Sequence, residues 1–392
     1  MRIENGQVEL WDLNTAERWW RDRENVLKQH GYKLRPRYRG EWTPSWFATG
    51  KDFMSAEDGI RISVLRDATM DATRVSDGSL VMLKKVSNHT SETPIALYFS
   101  EPELRQCPEN HCVPILDRFP TEAEPSIDII VMPFLFQLNE PRFESVDQVV
   151  DFFEQTLDGL TFMHSKDVAH RDCAFNNIMH DGIQLYPDGV HPAAVGMNPT
   201  YTGYARTLRR ADVPSIKYYF TDFGLSTHFK HPNQSRLVLG GIAADEDVPE
   251  LSNTIPYDPF RVDIFTLGNV YKKEFLKCYS NLEFLRLLVK EMTRRNPRKR
   301  PTAAEARDRF HFLLHNIPWY KRVWRLQTGR ETQWQCTAKD LRFVASYATR
   351  KLVRFSCEPE ICLSRQSYSL IRREPWVLVT TLMLAISLPA CM

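Results

Sequence analysis

Apolar positions follow two different periods along the chain, and the change falls near residue 138. Before it, short runs rich in β-branched and aliphatic residues at 60–65, 70–75, 80–86, 112–116 and 127–132 predict strands. Ser76-Asp77-Gly78-Ser79 reads as the turn of a hairpin between two of them. After it the spacing is helical. Ser145 and Gln148 form a capping-box pair, and Val146, Val149, Val150, Phe153, Leu157 and Leu160 follow along one helix face. Helices are also predicted at 263–275, 282–292 and 302–314, the last opened by Thr302 and Glu305. One further helix, 14–30, precedes the strands, capped by Asn14 with Glu17 and ended by Gly31. The Pro-, Arg- and Trp-rich stretch 32–53 has no clear period. Residues 181–215 are rich in Pro and Gly and long for a connection, which marks an insertion. A strand-rich region followed by a helical one predicts an α+β fold with a small β-rich lobe, a larger helical lobe and a cleft between them.

Length and composition narrow this picture. The 392 residues fit two ordinary domains, or one large domain with extensions. With 43% hydrophobic and 26% charged residues and a formal net charge of +2, nothing argues for nucleic-acid binding. Basic residues gather late, at Lys321, Arg322, Arg325, Arg330, Arg350, Lys351 and Arg354. They read first as solvated surface, with an acidic partner or an anionic membrane as the sharper alternative. The 8 cysteines are irregularly spaced, without a CxxC pair or a zinc-type cluster. The polar N-terminus does not resemble a secretory signal, so a reduced, intracellular, cytoplasmic setting is expected. Cys173 reads as a small buried filler. The uncharged run 376–392, preceded by Arg372 and Arg373, sits at the lower length limit of a membrane span and is interrupted by Pro389. A C-terminal anchor, a docked apolar tail and a gene-model artefact all account for it.

The chemistry-bearing residues fall in one order. His170-Arg171-Asp172-Cys173-Ala174-Phe175-Asn176-Asn177 follows the long amphipathic helix. An Asp with an Asn five positions on can turn both side chains into one site, the carboxylate to accept a hydroxyl proton and the amide oxygen to hold a metal ion. Downstream, the apolar run Tyr218-Tyr219-Phe220 leads into Asp222-Phe223-Gly224, and upstream lies Val81-Met82-Leu83-Lys84.

In this series the chain resembles the protein kinase superfamily over roughly 60–314. His170–Asn177 is similar to the H-R-D…N catalytic loop, Asp222-Phe223-Gly224 to D-F-G, and Val81–Lys84 to V-A-I-K. Val248-Pro249-Glu250 resembles A-P-E, with Arg300 matching its arginine partner, and Asp263–Gly268 resembles the D-x-W-S-x-G helix start. The resemblance implies a bilobal protein-kinase-like fold that uses ATP and Mg²⁺ on a protein substrate. Asp172 would be the catalytic base, Lys84 would contact the nucleotide phosphates, and Asn177 and Asp222 would hold the metal. Glu92 is the first choice for the partner of Lys84, with Glu101 and Glu103 as rivals, and the segment around Met132 and Phe134 would hold the adenine. The implied layout is an N-terminal extension with one helix at 1–59 and a kinase-like domain at 60–315 with its insertion at about 181–215. A basic C-terminal extension at 316–375 and the apolar tail at 376–392 follow. Arg171 would meet a phosphate on the loop carrying Ser226, Thr227 and Ser235. The Asn110–Asp117 segment, the variant loop and the insertion resemble a divergent subgroup of fungal kinase-like sequences.

Two features depart from the family pattern. The turn at 64–70, where a glycine-rich loop belongs, has no glycine. Ala174 and Asn176 occupy the two positions where serine/threonine kinases and tyrosine kinases, respectively, carry a cation beside the transferred phosphate. Three readings follow: an active protein kinase, a pseudokinase that binds partners, and a small-molecule phosphotransferase of kinase-like fold.

Overall fold

The computed structural model describes residues 11–62, 67–231 and 233–357. Five strands, β1 (Tyr32–Lys33), β2 (Thr69–Arg74), β3 (Leu80–Ser87), β4 (Asp117–Thr121) and β5 (Glu124–Pro133), form one antiparallel sheet in the order β1-β2-β3-β5-β4. The β2–β3 hairpin turns through Gly78, whose φ of 72° suits a residue without a Cβ. Alternation along β3 sorts its side chains between two cores. Val81 and Leu83, with Ile129 and Val131 of β5, pack against Trp20, Leu27, Leu34 and Tyr38. Val86 and Ile130 join the larger core with Phe99 and Phe153, and Met82 and Met132 pack against it. Lys84 shares the parity of Met82 and Val86 and pairs across the ladder with Ile130, so it stands on this second face.

The first face is covered by residues 13–38. Here α1 (Thr15–Arg21) and α2 (Glu24–Gln29) replace the single helix expected over 14–30. The Asn14–Glu17 capping box forms. The break comes where the Arg23 guanidinium takes the Trp19 carbonyl at 2.9 Å and reaches Glu124 of β5 at 2.6 Å, while the Arg23 amide falls back on Trp20 O. Beneath α1, Glu17 and Arg37 form a fully buried ion pair at 3.0 Å, with Tyr38 and the Asn14 amide filling the remaining carboxylate positions. The stretch expected as an extension therefore supplies a strand and half of a core.

Other expectations shift as well. Residues 60–62 are not in a strand, and the neighbour of β2 is β1, so the link between these strands is the long segment 34–68. Of the glycine-less turn expected at 64–70, residues 64–66 lie outside the described residues and β2 begins at Thr69. Residues 112–116 form no strand: they make an isolated bridge, Cys112 with Phe220, and one bond from Leu116 N–H to Val131 O of β5, whose hairpin partner is β4. The backbone there is claimed by side chains, Cys112 N–H by Asn110 and Ile115 N–H by Ser100.

Helix α3 (Glu92–Phe99) lies between β3 and β4, and beyond β5 the long elements are helices. The 20-residue helix α4 (Val146–Ser165) runs through the larger core and packs against the helix Ala303–His315. Its Ser145 cap does not form the expected box: Gln148 accepts from Glu144 N–H, and the Ser145 hydroxyl donates to Asp147. Short strands β6 (Phe136–Gln137), β7 (Val168–Ala169), β8 (Ile178–His180), β9 (Tyr218–Phe220) and β10 (Thr227–His228) flank the loop that follows α4, pairing as β6-β8-β9 and β7-β10. Strands β11 (Val238–Gly240) and β12 (Ser252–Tyr257) pair after it. Helix α5 (Pro259–Val270), capped by Asp258, continues as a wider π turn over Tyr271–Leu276. Then come α6 (Arg286–Met292), α7 (Ala303–His315), opened by the Thr302–Glu305 box, and α8 (Gln333–Cys357).

The inserted stretch 181–215 is pinned by Arg210, which donates to Leu138 O at 2.7 Å, Pro141 O at 2.8 Å and Tyr218 OH at 2.8 Å. Of the late basic cluster, Arg325 is buried rather than solvated, paired with Glu331 at 2.8 Å and with Asp340. Among the described residues no helix is long and apolar enough to cross a membrane, and the run 376–392 lies outside them.

Candidate functional site

The loop after α4 is built around one buried carboxylate. Asp263 on α5 is 0% exposed and accepts from His170 N–H at 2.9 Å, Arg171 N–H at 2.6 Å and His164 Nε2 at 2.9 Å. These bonds hold Arg171 at φ 68°, a left-handed conformation uncommon for a residue with a Cβ. His170 then links the loop to the end of β9. Its Nδ1 accepts from Asp172 N–H at 3.2 Å and its Nε2 lies 3.1 Å from Thr221 O, a partner set that fixes a neutral ring protonated on Nε2. Burial lowers its pKa, outweighing the pull of Asp263 and Asp172.

Two groups of predicted residues come together. In the first, Asn177 Nδ2 donates to the Asp172 carboxylate at 2.8 Å and to Asp172 O at 3.1 Å. The other Asp172 oxygen accepts from Ala244 N–H at 2.9 Å. Burial raises the Asp172 carboxyl above its ordinary pKa, although Ala244, His170 and Asn177 pull the other way. In the second, Lys84 Nζ contacts Glu92 Oε1 and lies 2.9 Å from Asp222 Oδ1. Burial opposes the Lys84 charge, but Glu92 and Asp222 together hold its pKa above the ordinary value. Burial pushes Glu92 up against the pull of Lys84, whereas in Asp222 the lysine outweighs burial and the pKa falls. Lys84 and Glu92 are largely buried, and Asp222 is half exposed. The left-handed turn at Asp222, φ 62° and ψ 77°, lets its carboxylate face Lys84 while Phe223 packs near Phe99 and His170. Glu101 and Glu103 are not among the residues that bond Lys84.

The loops are braced from outside. Thr221 N–H and hydroxyl both bond Asn177 O, so the two groups share backbone. Arg171 donates to Leu225 O at 3.1 Å, Leu239 O at 2.8 Å and Tyr257 OH at 3.2 Å, which fastens the segment after Asp222 through carbonyl and hydroxyl oxygens. Glu250 and Arg300 form a two-pronged pair, one arm at 2.8 Å, with the guanidinium over Phe265 at 4.5 Å. Met132, opposite Met82, lies on the sheet face of Lys84. The Phe134 side chain is buried against Phe136, and its N–H lies 3.4 Å from Leu80 O.

The free donors here are hard oxygens. Asn177 spends its amide nitrogen on Asp172, which leaves the amide oxygen, and Asp222 adds a carboxylate. Among the described residues no group of three or more His, Cys, Asp or Glu could hold a metal by itself. Magnesium takes one or two carboxylates and completes its shell with phosphate and water, so this donor set fits it. Size does not mark the site: a cavity of about 410 Å³ lies elsewhere, between the start of α4, residues 210–218 and α8. The contribution of Ala244 N–H had no sequence signal, because a backbone donor carries none. Tyr257 was equally silent.

No family model matches the chain. It is similar to serine/threonine-protein kinase chk1 of Schizosaccharomyces pombe, 27% identical over 161 residues, which is 39% of this chain and 26% of that protein. It is also similar to serine/threonine-protein kinase ppk8 of the same yeast, 27% identical over 122 residues, 30% of this chain and 18% of that protein. The chain thus covers about a quarter or less of the relatives it matches. Both point to the protein kinase superfamily, and the mixed helix and strand architecture with its antiparallel sheet is compatible with that fold.

Proposed function

We propose that the chain is a protein kinase that transfers the γ-phosphate of ATP to a protein hydroxyl. The observation that carries this is the convergence of Lys84, Glu92 and Asp222 beside Asp172 and Asn177, five polar residues from four separate segments. In this reading β2–β5 with α3 form the small lobe and α4–α7 the large one, within a domain spanning about 60–315, and β1 joins the sheet from the N-terminal addition. Residues 1–59, 181–215, 316–375 and 376–392 are its additions, in a cytoplasmic protein.

Magnesium and ATP, when bound, supply the transferable phosphoryl group and neutralise the charge developing on it. Lys84, held charged and fixed by Glu92, meets the nucleotide phosphates. Asn177 and Asp222 offer the metal their oxygens, while Met132 and the backbone near Phe134 border the adenine. Asp172 receives the acceptor hydroxyl, and its raised pKa suits a group that takes up a proton. Phosphate transfer from labelled ATP to a mixture of Ser, Thr and Tyr peptides tests this. Asp172→Asn should lower the rate at least a hundredfold, and equal rates in both proteins would defeat the assignment.

A second reading, a pseudokinase that acts by binding partners, draws on Ala174 and Asn176, which leave the loop without its usual cation, and on the long segment 34–68 in place of a glycine-rich turn. Nucleotide binding without transfer would favour it.

A further inference from the structure

The N-terminal segment 34–62 and the inserted stretch 181–215 are joined by a hydrogen bond from His191 Nε2 to Glu57 Oε1 at 3.2 Å. His191 is 0% exposed and its Nδ1 has no partner, so among the described residues Glu57 takes the one hydrogen bond of this ring. Stripping a buried imidazole of its last bond is costly, so the contact resists opening. Both ends are fastened. On the Glu57 side, Arg35 stands 3.8 Å from Glu57, donates to Ile60 O at 3.1 Å and grips Asp71 of β2 at 2.8 and 3.2 Å. Asp71 lies opposite Met82 in the β2–β3 ladder, on the sheet face that carries Lys84. On the His191 side, Leu185 and Val190 belong to the larger core that α4 runs through, and His191 N–H donates to Met197 O at 2.9 Å.

We propose that Glu57 and His191 are positioning residues that strap the small lobe to the large one and set the rate at which nucleotide enters and leaves between them. The inference deepens the phosphotransferase reading and rests on it. Lys84 and Glu92 belong to the small lobe, and Asp172, Asn177 and Asp222 to the large one. A nucleotide held among them leaves as the two lobes part, and such opening steps commonly limit turnover. The strap acts on that step because one end is anchored through Arg35 to β2 and the other to the core around α4. Neither Glu57 nor His191 is among the groups that meet the nucleotide. The strap is therefore the same with the site filled or empty, and it changes exchange without changing affinity.

The test follows dissociation of the fluorescent nucleotide mant-ADP, with Mg²⁺, from the full chain in wild type, Glu57→Ala, His191→Phe and His191→Gln. Phenylalanine keeps a ring beside Tyr201, 5.7 Å away between centroids, and removes the donor, whereas glutamine keeps an N–H for Glu57. Glu57→Ala and His191→Phe should each speed dissociation about tenfold, with Kd held within about threefold because association quickens equally. Tenfold is about 1.4 kcal/mol, within the contribution of one hydrogen bond to a carboxylate. His191→Gln should dissociate like the wild type, and the Glu57→Ala/His191→Phe double variant no faster than either single one, since both break one contact. An unchanged rate in His191→Phe, or a Kd that rises with the rate, overturns the strap. A wild type that binds no mant-ADP overturns the phosphotransferase reading instead. Hydrogen exchange then decides the tie by itself: faster exchange at 57–60 in His191→Phe upholds it, and equal exchange overturns it.

Discussion

Lys84 and Asp222, 138 positions apart, meet through a 2.9 Å hydrogen bond between Nζ and Oδ1. This contact ties β3 to the turn after β9, and Glu92 completes it from α3. The ammonium thus stands between two carboxylates, stays protonated, and lowers the pKa of the more exposed one. An arrangement of this kind preorganises charge for an anionic ligand at a fixed place.

The buried Glu17–Arg37 pair should matter more to stability than any surface ion pair. Removing one partner of a buried pair leaves a charge without compensation, at a cost of about 3–5 kcal/mol. Arg37→Ala or Glu17→Ala should lower the unfolding free energy measured in urea by that amount, whereas Arg286→Ala, whose partner Glu283 is exposed, should leave the urea midpoint nearly unchanged.

Gly159 on α4 is a packing glycine. A Cβ there would come 2.6 Å from His111 Cβ and 3.1 Å from Phe220 Cε2. Gly159→Ala should destabilise by about 1–3 kcal/mol through overpacking, despite the better helix propensity of alanine. Gly196→Ala, where a Cβ would meet nothing within 4 Å, is the control.

These examples separate what the sequence discloses from what it hides. The periodicity at 146–160 marks α4, and the Asn14–Glu17 and Thr302–Glu305 boxes form because they are local. Lys84, Glu92, Asp172, Asn177 and Asp222 could be named from their order along the chain, and they meet in space. Long-range contacts left no such trace. The Arg23–Glu124 bond that breaks the first helix joins residues 101 positions apart. Strand β1 is only 2 residues long, too short to show alternation, so the 34–68 link to β2 was hidden with it. Arg325 reads as surface in a basic run, and only folding brings Glu331 and Asp340 around it.

Acid should weaken the fold through buried histidines, His111 and His180 together with His170. Burial lowers the pKa of His111 to about 4 and of His180 to about 3, the latter helped by nearby Arg210. In the unfolded chain both titrate near about 6.5. Between those values the unfolded state binds more protons, so their contribution is complete above about pH 6.5 and is lost as pH falls toward 4 and then 3. The thermal midpoint should therefore drop between pH 6.5 and 4.5, and His180→Gln should flatten that drop. Equal slopes in the two proteins would show that other groups govern it.

Thermal unfolding of the full chain with and without ATP and Mg²⁺, run beside Asp222→Asn, tests the central assignment most directly. Ligand at a hundred times its dissociation constant stabilises by about 2.7 kcal/mol, which is a midpoint shift of a few degrees. The account predicts a Mg²⁺-dependent shift in the wild type that Asp222→Asn loses. No shift at millimolar nucleotide, or the same shift in both proteins, would contradict it.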